Sequence, residues 1–219
     1  MPAGIDHPPL VIGSHGLLSN ADSPKQIELA RQCNKKGIAF FRFDHRGCGA
    51  SSGIFQKATS LAARRLDLIS AINVMQASND IGNKIGLFGS SLGGAVCLSV
   101  AGEFNIDALV TFAAPVCSRL LLEQLERADA DNYKQILPDQ DNLFFDISDK
   151  LSKIKTILIF HGEADKVVLP SNAEKIYKSA GEPKKLIMQK NGDHMMNNPE
   201  HQQEFIRESV FWFNTRLKK

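Results

Sequence analysis

The sequence predicts an α/β protein in which a doubly wound, mostly parallel sheet carries helices on both faces. Six short apolar runs are spaced along the chain, at residues 10–14, 38–43, 84–88, 108–112, 156–160 and 185–189. Segments with helical periodicity lie between these runs, and such alternation is typical of parallel strands joined by right-handed crossovers. The runs are apolar at successive positions, which indicates strands covered on both faces.

Two of the intervening helices are predicted most directly. Ser23 and Pro24 precede a periodic segment that stops at Gly37, so the chain offers an N-cap, a proline at the first helical position and a glycine stop. A second helix is predicted by apolar residues that recur at helical spacing, namely Leu61, Leu68, Ile72 and Met75. Polar residues between them, such as Arg64, are expected on the solvent side of one buried stripe.

The chain is expected to form one domain over residues 1–219, because no linker interrupts the pattern. Residues 118–154 are the exception, since this span between two strands is longer than one crossover helix and rich in charge. We predict a small cap insertion there. Its apolar residues either form a wall over the site or pack the cap onto the body: Leu120, Leu121, Leu122, Leu125, Phe144 and Phe145.

Composition excludes several classes of partner. The 26 basic and 24 acidic residues are scattered, and without a basic block nucleic acid is not an expected partner. The N-terminus lacks a signal-peptide pattern, and the longest run with few polar residues, 108–117, is too short to insert into a membrane. Four cysteines without paired spacing favour a reducing cytoplasm.

A G-x-S-x-G pattern at residues 89–93 is the strongest functional signal. It follows an apolar run and opens a stretch of small residues that is typical of a helix. Ser91 is the central serine, because Ser90 in that place would require glycine where Phe88 and Leu92 stand. Flanking glycines permit a sharp turn that exposes the hydroxyl, so Ser91 is the predicted nucleophile. The alternative is ordinary loop and capping chemistry before a helix.

A nucleophilic serine needs a histidine base and a carboxylate that orients the histidine. Asp165 and His194 each follow a predicted strand, so with Ser91 they would meet at the carboxyl edge of a parallel sheet. The chain order serine, acid, histidine is the one expected with this type of turn. Glu163 competes with Asp165 for the acid role and Asp193 adjoins the histidine, so the position of the carboxylate stays open at this point.

Two backbone N–H groups are also needed to face the oxyanion of a tetrahedral intermediate. The Leu92 amide is one candidate, because N–H groups at the start of a helix lack intrahelical partners. The second is expected in the loop after the first strand, where we assign the Leu17 amide, directly after Gly16. His15 in the same loop is expected to be structural rather than a catalytic base.

Together these segments resemble the α/β-hydrolase superfamily over essentially the whole chain, and most closely its esterase and serine aminopeptidase-like branch. Residues 44–53 match its D-x-R-G-x-G-x-S-x-G turn, and Gly94 adds a further glycine to the serine pattern. The resemblance implies that residues 44–53 carry no catalytic group, and that the acid lies in an H-G-x-x-D loop, which favours Asp165 over Glu163. Family members usually begin with an antiparallel hairpin, and only nine residues precede Leu10, so either the hairpin is missing or the chain is a shortened form.

The sequence therefore predicts a cytoplasmic serine hydrolase that cleaves a carboxylic ester of a small to medium acyl substrate through an acyl-enzyme. A thioesterase, an amidase or peptidase, an acyltransferase and a noncatalytic ligand-binding member of the fold are the alternatives. The chemistry requires no cofactor. The histidines show no His-x-x-x-His spacing, so no metal site is predicted.

Overall fold

A computed structural model describes residues 1–119, 137–138 and 140–218, and within them one parallel sheet is formed. Its strands are β1 (Leu10–Ser14), β2 (Ala39–Arg42), β3 (Ile85–Ser90), β4 (Ala108–Phe112), β5 (Ile157–Gly162) and β6 (Lys184–Gln189). They are ordered β2-β1-β3-β4-β5-β6, and all neighbouring pairs are parallel. The predicted α/β sheet is confirmed, with each predicted strand ending within two residues of its observed bounds.

Helices cover both faces of the sheet. In the described residues they are α1 (Pro24–Lys35), α2 (Phe55–Ala58), α3 (Leu61–Gln76), α4 (Leu92–Ala101), α5 (Gln140–Leu143), α6 (Ser171–Ser179) and α7 (Pro199–Leu217), with a 3₁₀ helix at Ser148–Lys153. Helices α1 and α7 pack together on one face, whereas α3, α4 and α6 pack on the other. This is the doubly wound arrangement that the alternation of strands and helices predicts.

The two predicted helices begin where their capping residues indicate. The Ser23 side chain accepts a hydrogen bond from the Gln26 amide, and Pro24 is the first residue of α1. Helix α3 buries Leu68 and Ile72 as expected. The expectation for Arg64 is wrong, because this arginine on α3 is 0% exposed. Its guanidinium is held by backbone carbonyl groups of a neighbouring loop, which helical periodicity cannot reveal.

An aromatic cluster on one face of the sheet joins α7 to the central strands β3, β4 and β5. The Phe205 ring of α7 lies 5.6 Å from that of Phe88, 6.1 Å from that of Phe112 and 5.1 Å from that of Phe160, measured between centroids. Rings at these separations stabilise the core beyond their buried area. Strands β3 and β5, which carry two of these rings, lead directly into the loops that hold Ser91 and Asp165.

Within the predicted cap segment, Ser118 is joined to Phe145 by hydrogen bonds. The Ser118 amide donates to the Phe145 carbonyl at 3.0 Å, and the Phe145 amide donates to Ser118 Oγ at 2.7 Å. Phe145 packs into the larger core cluster, whereas Phe144 is 56% exposed. The four predicted cap leucines, at positions 120–122 and 125, lie outside the described residues. Among the helices of the described chain, none is long and apolar enough to cross a membrane.

Candidate active site

Ser91 stands on the sharp turn between β3 and α4. Its φ of 52° is rarely adopted by an L-residue other than asparagine or aspartate, and its amide donates to the Phe112 carbonyl at 2.8 Å. The flanking glycines are sterically required: a Cβ on Gly89 would overlap the Gly93 carbonyl, and one on Gly93 would overlap the Ser14 carbonyl. The turn therefore holds a strained serine at the carboxyl edge of the sheet.

The three residues predicted for the catalytic triad are brought together. His194 Nε2 lies 3.1 Å from Ser91 Oγ, and His194 Nδ1 lies 2.8 Å from Asp165 Oδ2. When Nδ1–H donates to the carboxylate, Nε2 is left as the acceptor for the serine hydroxyl. The three side chains thus form one continuous hydrogen-bonded chain.

Asp165 is held as a buried carboxylate. Its Oδ1 accepts the amides of Val167 at 2.8 Å and Val168 at 2.9 Å, and the residue is 3% exposed. Burial alone would raise the pKa of Asp165, but hydrogen bonds from His161 and His194 outweigh burial and hold that pKa well below its usual range. The group is therefore ionised at neutral pH, when it can orient His194.

The two competing carboxylates do not contact the histidine in this arrangement. Glu163 is exposed, and its amide donates to the Gln189 carbonyl at 3.0 Å. Asp193 accepts both the backbone amide of Asn197, at 3.0 Å, and its side-chain amide, at 2.6 Å. Asp193 therefore stabilises the loop that carries His194, whereas Asp165 contacts the imidazole itself.

Lys25 gives that loop a second support, which the sequence did not indicate. Its Nζ donates to the Met195 carbonyl at 2.9 Å and lies 4.9 Å from the centroid of the Phe112 ring. Burial lowers the pKa of Lys25, and the nearby Asp193 partly offsets that effect. The contact joins the first turn of α1 to the residue after His194, so two distant segments fix the position of the loop.

The loop after β1 borders Ser91 from the other side. A methyl group on Gly16 would lie 3.6 Å from Ser91 Cβ and 3.5 Å from the Ser90 carbonyl oxygen. The peptide unit that joins Gly16 to Leu17 therefore lies against the serine. Leu92 is the first residue of α4, directly after Ser91, and is 4% exposed. Both predicted amide donors thus belong to backbone next to the serine.

A buried polar network lies behind this loop, and sequence reasoning missed it. Arg64 donates to three successive carbonyl groups, those of His15 at 3.2 Å, Gly16 at 3.0 Å and Leu17 at 3.0 Å. His15 Nε2 accepts the backbone amide of His45 at 3.1 Å. No local sequence signal could have found these contacts, because they join the loop after β1, the loop after β2 and α3.

Both histidines of the network are neutral over the physiological range. Burial, reinforced by the nearby Arg64 charge, lowers the pKa of His15 to about 3. Burial also lowers the pKa of His45 to about 4, although Asp67 partly opposes this shift. His45 Nε2 lies 2.9 Å from Ser14 Oγ and its Nδ1 lies 3.3 Å from Asp67 Oδ2. Both ring nitrogens of His15 contact backbone groups, Nδ1 the Gly16 carbonyl at 2.8 Å and Nε2 the His45 amide at 3.1 Å.

Within the part of the chain that is described, no group of three histidine, cysteine, aspartate or glutamate side chains is arranged to hold a metal ion. The four cysteines at positions 33, 48, 97 and 117 are free thiols.

The fold is that of an α/β hydrolase. Est1E from Butyrivibrio proteoclasticus, solved with ferulic acid bound, superposes with a TM-score of 0.82 and 20% sequence identity over 100% of this chain and 94% of that chain. The Pyrococcus furiosus esterase Pf2001 superposes with a TM-score of 0.82 and 16% identity over 96% of this chain and 83% of that chain. At these identities the likeness concerns the fold.

Sequence comparison shows the family to which the chain belongs. A family model described as serine aminopeptidase, S33, matches residues 6–141, more than half of the chain, so the chain belongs to this family of hydrolases. The match includes Ser91 and ends before Asp165 and His194. YfhR of Escherichia coli K12 is 28% identical over 209 residues, which cover 93% of this chain and 69% of that protein. YqkD of Bacillus subtilis is 26% identical over 213 residues, covering 88% and 67% respectively. Both relatives are described as uncharacterized.

Proposed function

We propose that this protein is a serine hydrolase that cleaves a carboxylic ester of small to medium size through an acyl-enzyme intermediate. The observation that carries the proposal is the unbroken chain of contacts from Ser91 Oγ through His194 to Asp165, at 3.1 Å and 2.8 Å. Ser91 is the nucleophile, His194 is the general base, and Asp165 orients the imidazole and stabilises its protonated form.

The reaction would proceed in two halves. Ser91 Oγ attacks the carbonyl carbon while its proton passes to His194 Nε2, and collapse of the tetrahedral intermediate expels the alcohol, which takes that proton. The amides of Leu17 and Leu92 donate to the oxyanion. Water, deprotonated by His194, then attacks the acyl group and releases the acid and free Ser91.

Exposed apolar side chains that are close in sequence to the proposed site residues favour a substrate with a hydrocarbon portion. Leu18, Val167 and Met195 are 56%, 43% and 65% exposed, and each lies one or two positions from a proposed site residue. The likeness to the Pyrococcus furiosus esterase favours an ester, whereas membership of the serine aminopeptidase family favours a peptide substrate. Thioester cleavage and acyl transfer would use the same three side chains.

The proposed compartment is the cytoplasm, where thiols such as Cys33 and Cys97 remain reduced.

A substrate panel with acyl-enzyme detection tests this proposal. Purified protein is assayed with p-nitrophenyl esters of increasing acyl length, the matching thioesters and aminoacyl p-nitroanilides. Samples quenched in acid are digested, and peptide mass spectrometry locates any acyl group. We expect an ester to turn over fastest, with acyl mass on the peptide containing Ser91.

Ser91→Ala is expected to abolish turnover, and Ser90→Ala is the matched control, because Ser90 is the adjacent residue and has no role in the mechanism. If the nitroanilides are cleaved faster than the esters, the proposed substrate is a peptide rather than an ester. If the folded protein binds these compounds without turning them over, the result would contradict the proposed enzymatic function. It would favour a noncatalytic ligand-binding protein.

A further inference from the structure

The Arg64 guanidinium is buried in an unusual way for a charged group. It is 0% exposed, and among the described residues no carboxylate lies within salt-bridge distance of it. Its partners are three backbone carbonyl groups and Cys48 Sγ, at 3.4 Å, while its Nε has no partner in the described structure. A buried cation is costly unless its surroundings compensate it, so a core leucine would serve packing better. The position of the charge suggests a function.

The contact with Gly16 is the informative one. The Gly16 carbonyl accepts from Arg64 Nη1 at 3.0 Å, and the N–H of that same peptide unit belongs to Leu17. In a planar trans peptide the C=O and N–H point in opposite directions. When Arg64 binds the oxygen, the Leu17 N–H is therefore directed away from the guanidinium. Gly16 also borders Ser91, so this peptide unit contacts the guanidinium through its oxygen and lies beside the serine.

His15 adds a second donor to the same carbonyl. His15 Nε2 accepts the His45 amide, so the proton of the neutral ring is on Nδ1, which donates to the Gly16 carbonyl at 2.8 Å. Two donors, one of them cationic, thus polarise one peptide unit, and polarisation in a chain of hydrogen bonds makes its N–H a stronger donor. The network acts on the backbone amide that an oxyanion would need.

We propose that Arg64 is a positioning residue for the oxyanion hole, which orients and polarises the peptide unit between Gly16 and Leu17 so that the Leu17 N–H binds the negatively charged oxygen of the tetrahedral intermediate. This inference rests on the proposed hydrolase function. Arg64 itself does not contact the substrate, and its influence is exerted through the Gly16 carbonyl.

The test compares Arg64→Met and Arg64→Lys with the matched control Arg65→Met. Arg65 is the next residue of α3 and pairs with Glu103 near the surface, so its loss changes the same charge on the same helix. For Arg64→Met we expect kcat on the best ester to fall about 100-fold, the range seen when one oxyanion donor is lost, with KM changed less than about threefold. Arg64→Lys is expected to be intermediate, since an ammonium lacks the planar fork. Arg65→Met is expected to keep wild-type kcat.

Affinity for a boronic acid of the same acyl group separates positioning from a general loss of structure. The boronate adopts a tetrahedral form on the serine, so its affinity is expected to fall in parallel with kcat/KM across the Arg64 variants. A folded Arg64→Met protein with near wild-type kcat, or a loss of kcat without a loss of boronate affinity, would overturn the inference. If circular dichroism shows that Arg64→Met does not fold, the inference is tested with Arg64→Lys instead, again by measuring kcat and boronate affinity.

The wild-type protein separates this inference from the function on which it rests. Wild-type turnover with acylated Ser91, together with unaffected Arg64 variants, would refute the role of Arg64 and leave the hydrolase standing. A folded wild-type protein that neither turns over any ester nor binds the boronate would refute both.

Discussion

Replacing Asp165 with asparagine should remove most of the proposed activity while leaving the fold in place. The side-chain oxygen of asparagine can still accept the two backbone amides of Val167 and Val168 that now bind Oδ1. The new NH₂ group would then occupy the position of Oδ2, 2.8 Å from His194 Nδ1. Two donors would face each other there, so the imidazole would shift its proton to Nε2. In that tautomer His194 has no lone pair for the Ser91 hydroxyl.

The expected loss follows from this change of tautomer and from the lost carboxylate charge. The comparable substitution in a serine protease triad lowers kcat by about 10⁴-fold, which corresponds to about 5 kcal/mol of transition-state stabilisation. The assay is steady-state hydrolysis of the best p-nitrophenyl ester, with near-ultraviolet circular dichroism to verify folding. Glu163→Gln is the matched control, because it removes an exposed carboxylate two positions away, and it should retain kcat within about twofold. A folded Asp165→Asn protein with less than about a tenfold loss would refute the orienting role of Asp165.

Two further predictions concern stability and the loop geometry. His15 and His45 have folded-state pKa values of about 3 and about 4, below their ordinary value of 6.5. Between the folded-state pKa and 6.5 the unfolded chain binds more protons than the folded protein, so stability is lost as the pH falls through this range. The free energy of unfolding should drop by about 2 kcal/mol per histidine from pH 8 to pH 5, and urea titrations with no such drop would contradict the buried neutral pair. Gly93→Ala should abolish turnover and destabilise the protein by about 1 to 3 kcal/mol, since the added Cβ would overlap the Ser14 carbonyl. The control Gly181→Ala, whose Cβ would meet nothing closer than 3.6 Å, should unfold at nearly the wild-type urea concentration, and equal effects of the two changes would contradict the steric argument.

The sheet could be predicted because parallel strands covered on both faces appear in the sequence as continuous apolar runs. The runs 10–14 and 108–112 coincide with β1 and β4. Strand β3 continues past its apolar run to Ser90, because Ser90 still pairs with Phe112 of β4. Backbone pairing of this kind is independent of side-chain polarity, and hydropathy therefore locates a strand more reliably than its last residue.

The site residues could be proposed from the sequence for a similar reason. Ser91, Asp165 and His194 each follow a strand of one parallel sheet, so topology alone brings them to a common edge. The burial of Arg64, in contrast, could not be predicted from the sequence. Helical spacing assigns a charged residue to the solvent face, and only the tertiary approach of the loop after β1 provides carbonyl groups that accept its hydrogen bonds.

Labelling with a fluorophosphonate probe tests the central claim most directly. Such probes phosphonylate a serine only when a neighbouring base activates it, so the reaction reports the contact between Ser91 Oγ and His194 Nε2 without requiring the natural substrate. We expect peptide mass spectrometry to find the phosphonyl group on Ser91 alone, with labelling retained in Ser90→Ala and lost in Ser91→Ala. A folded wild-type protein that remains unlabelled, or one that is labelled equally well after Ser91→Ala, would contradict the account.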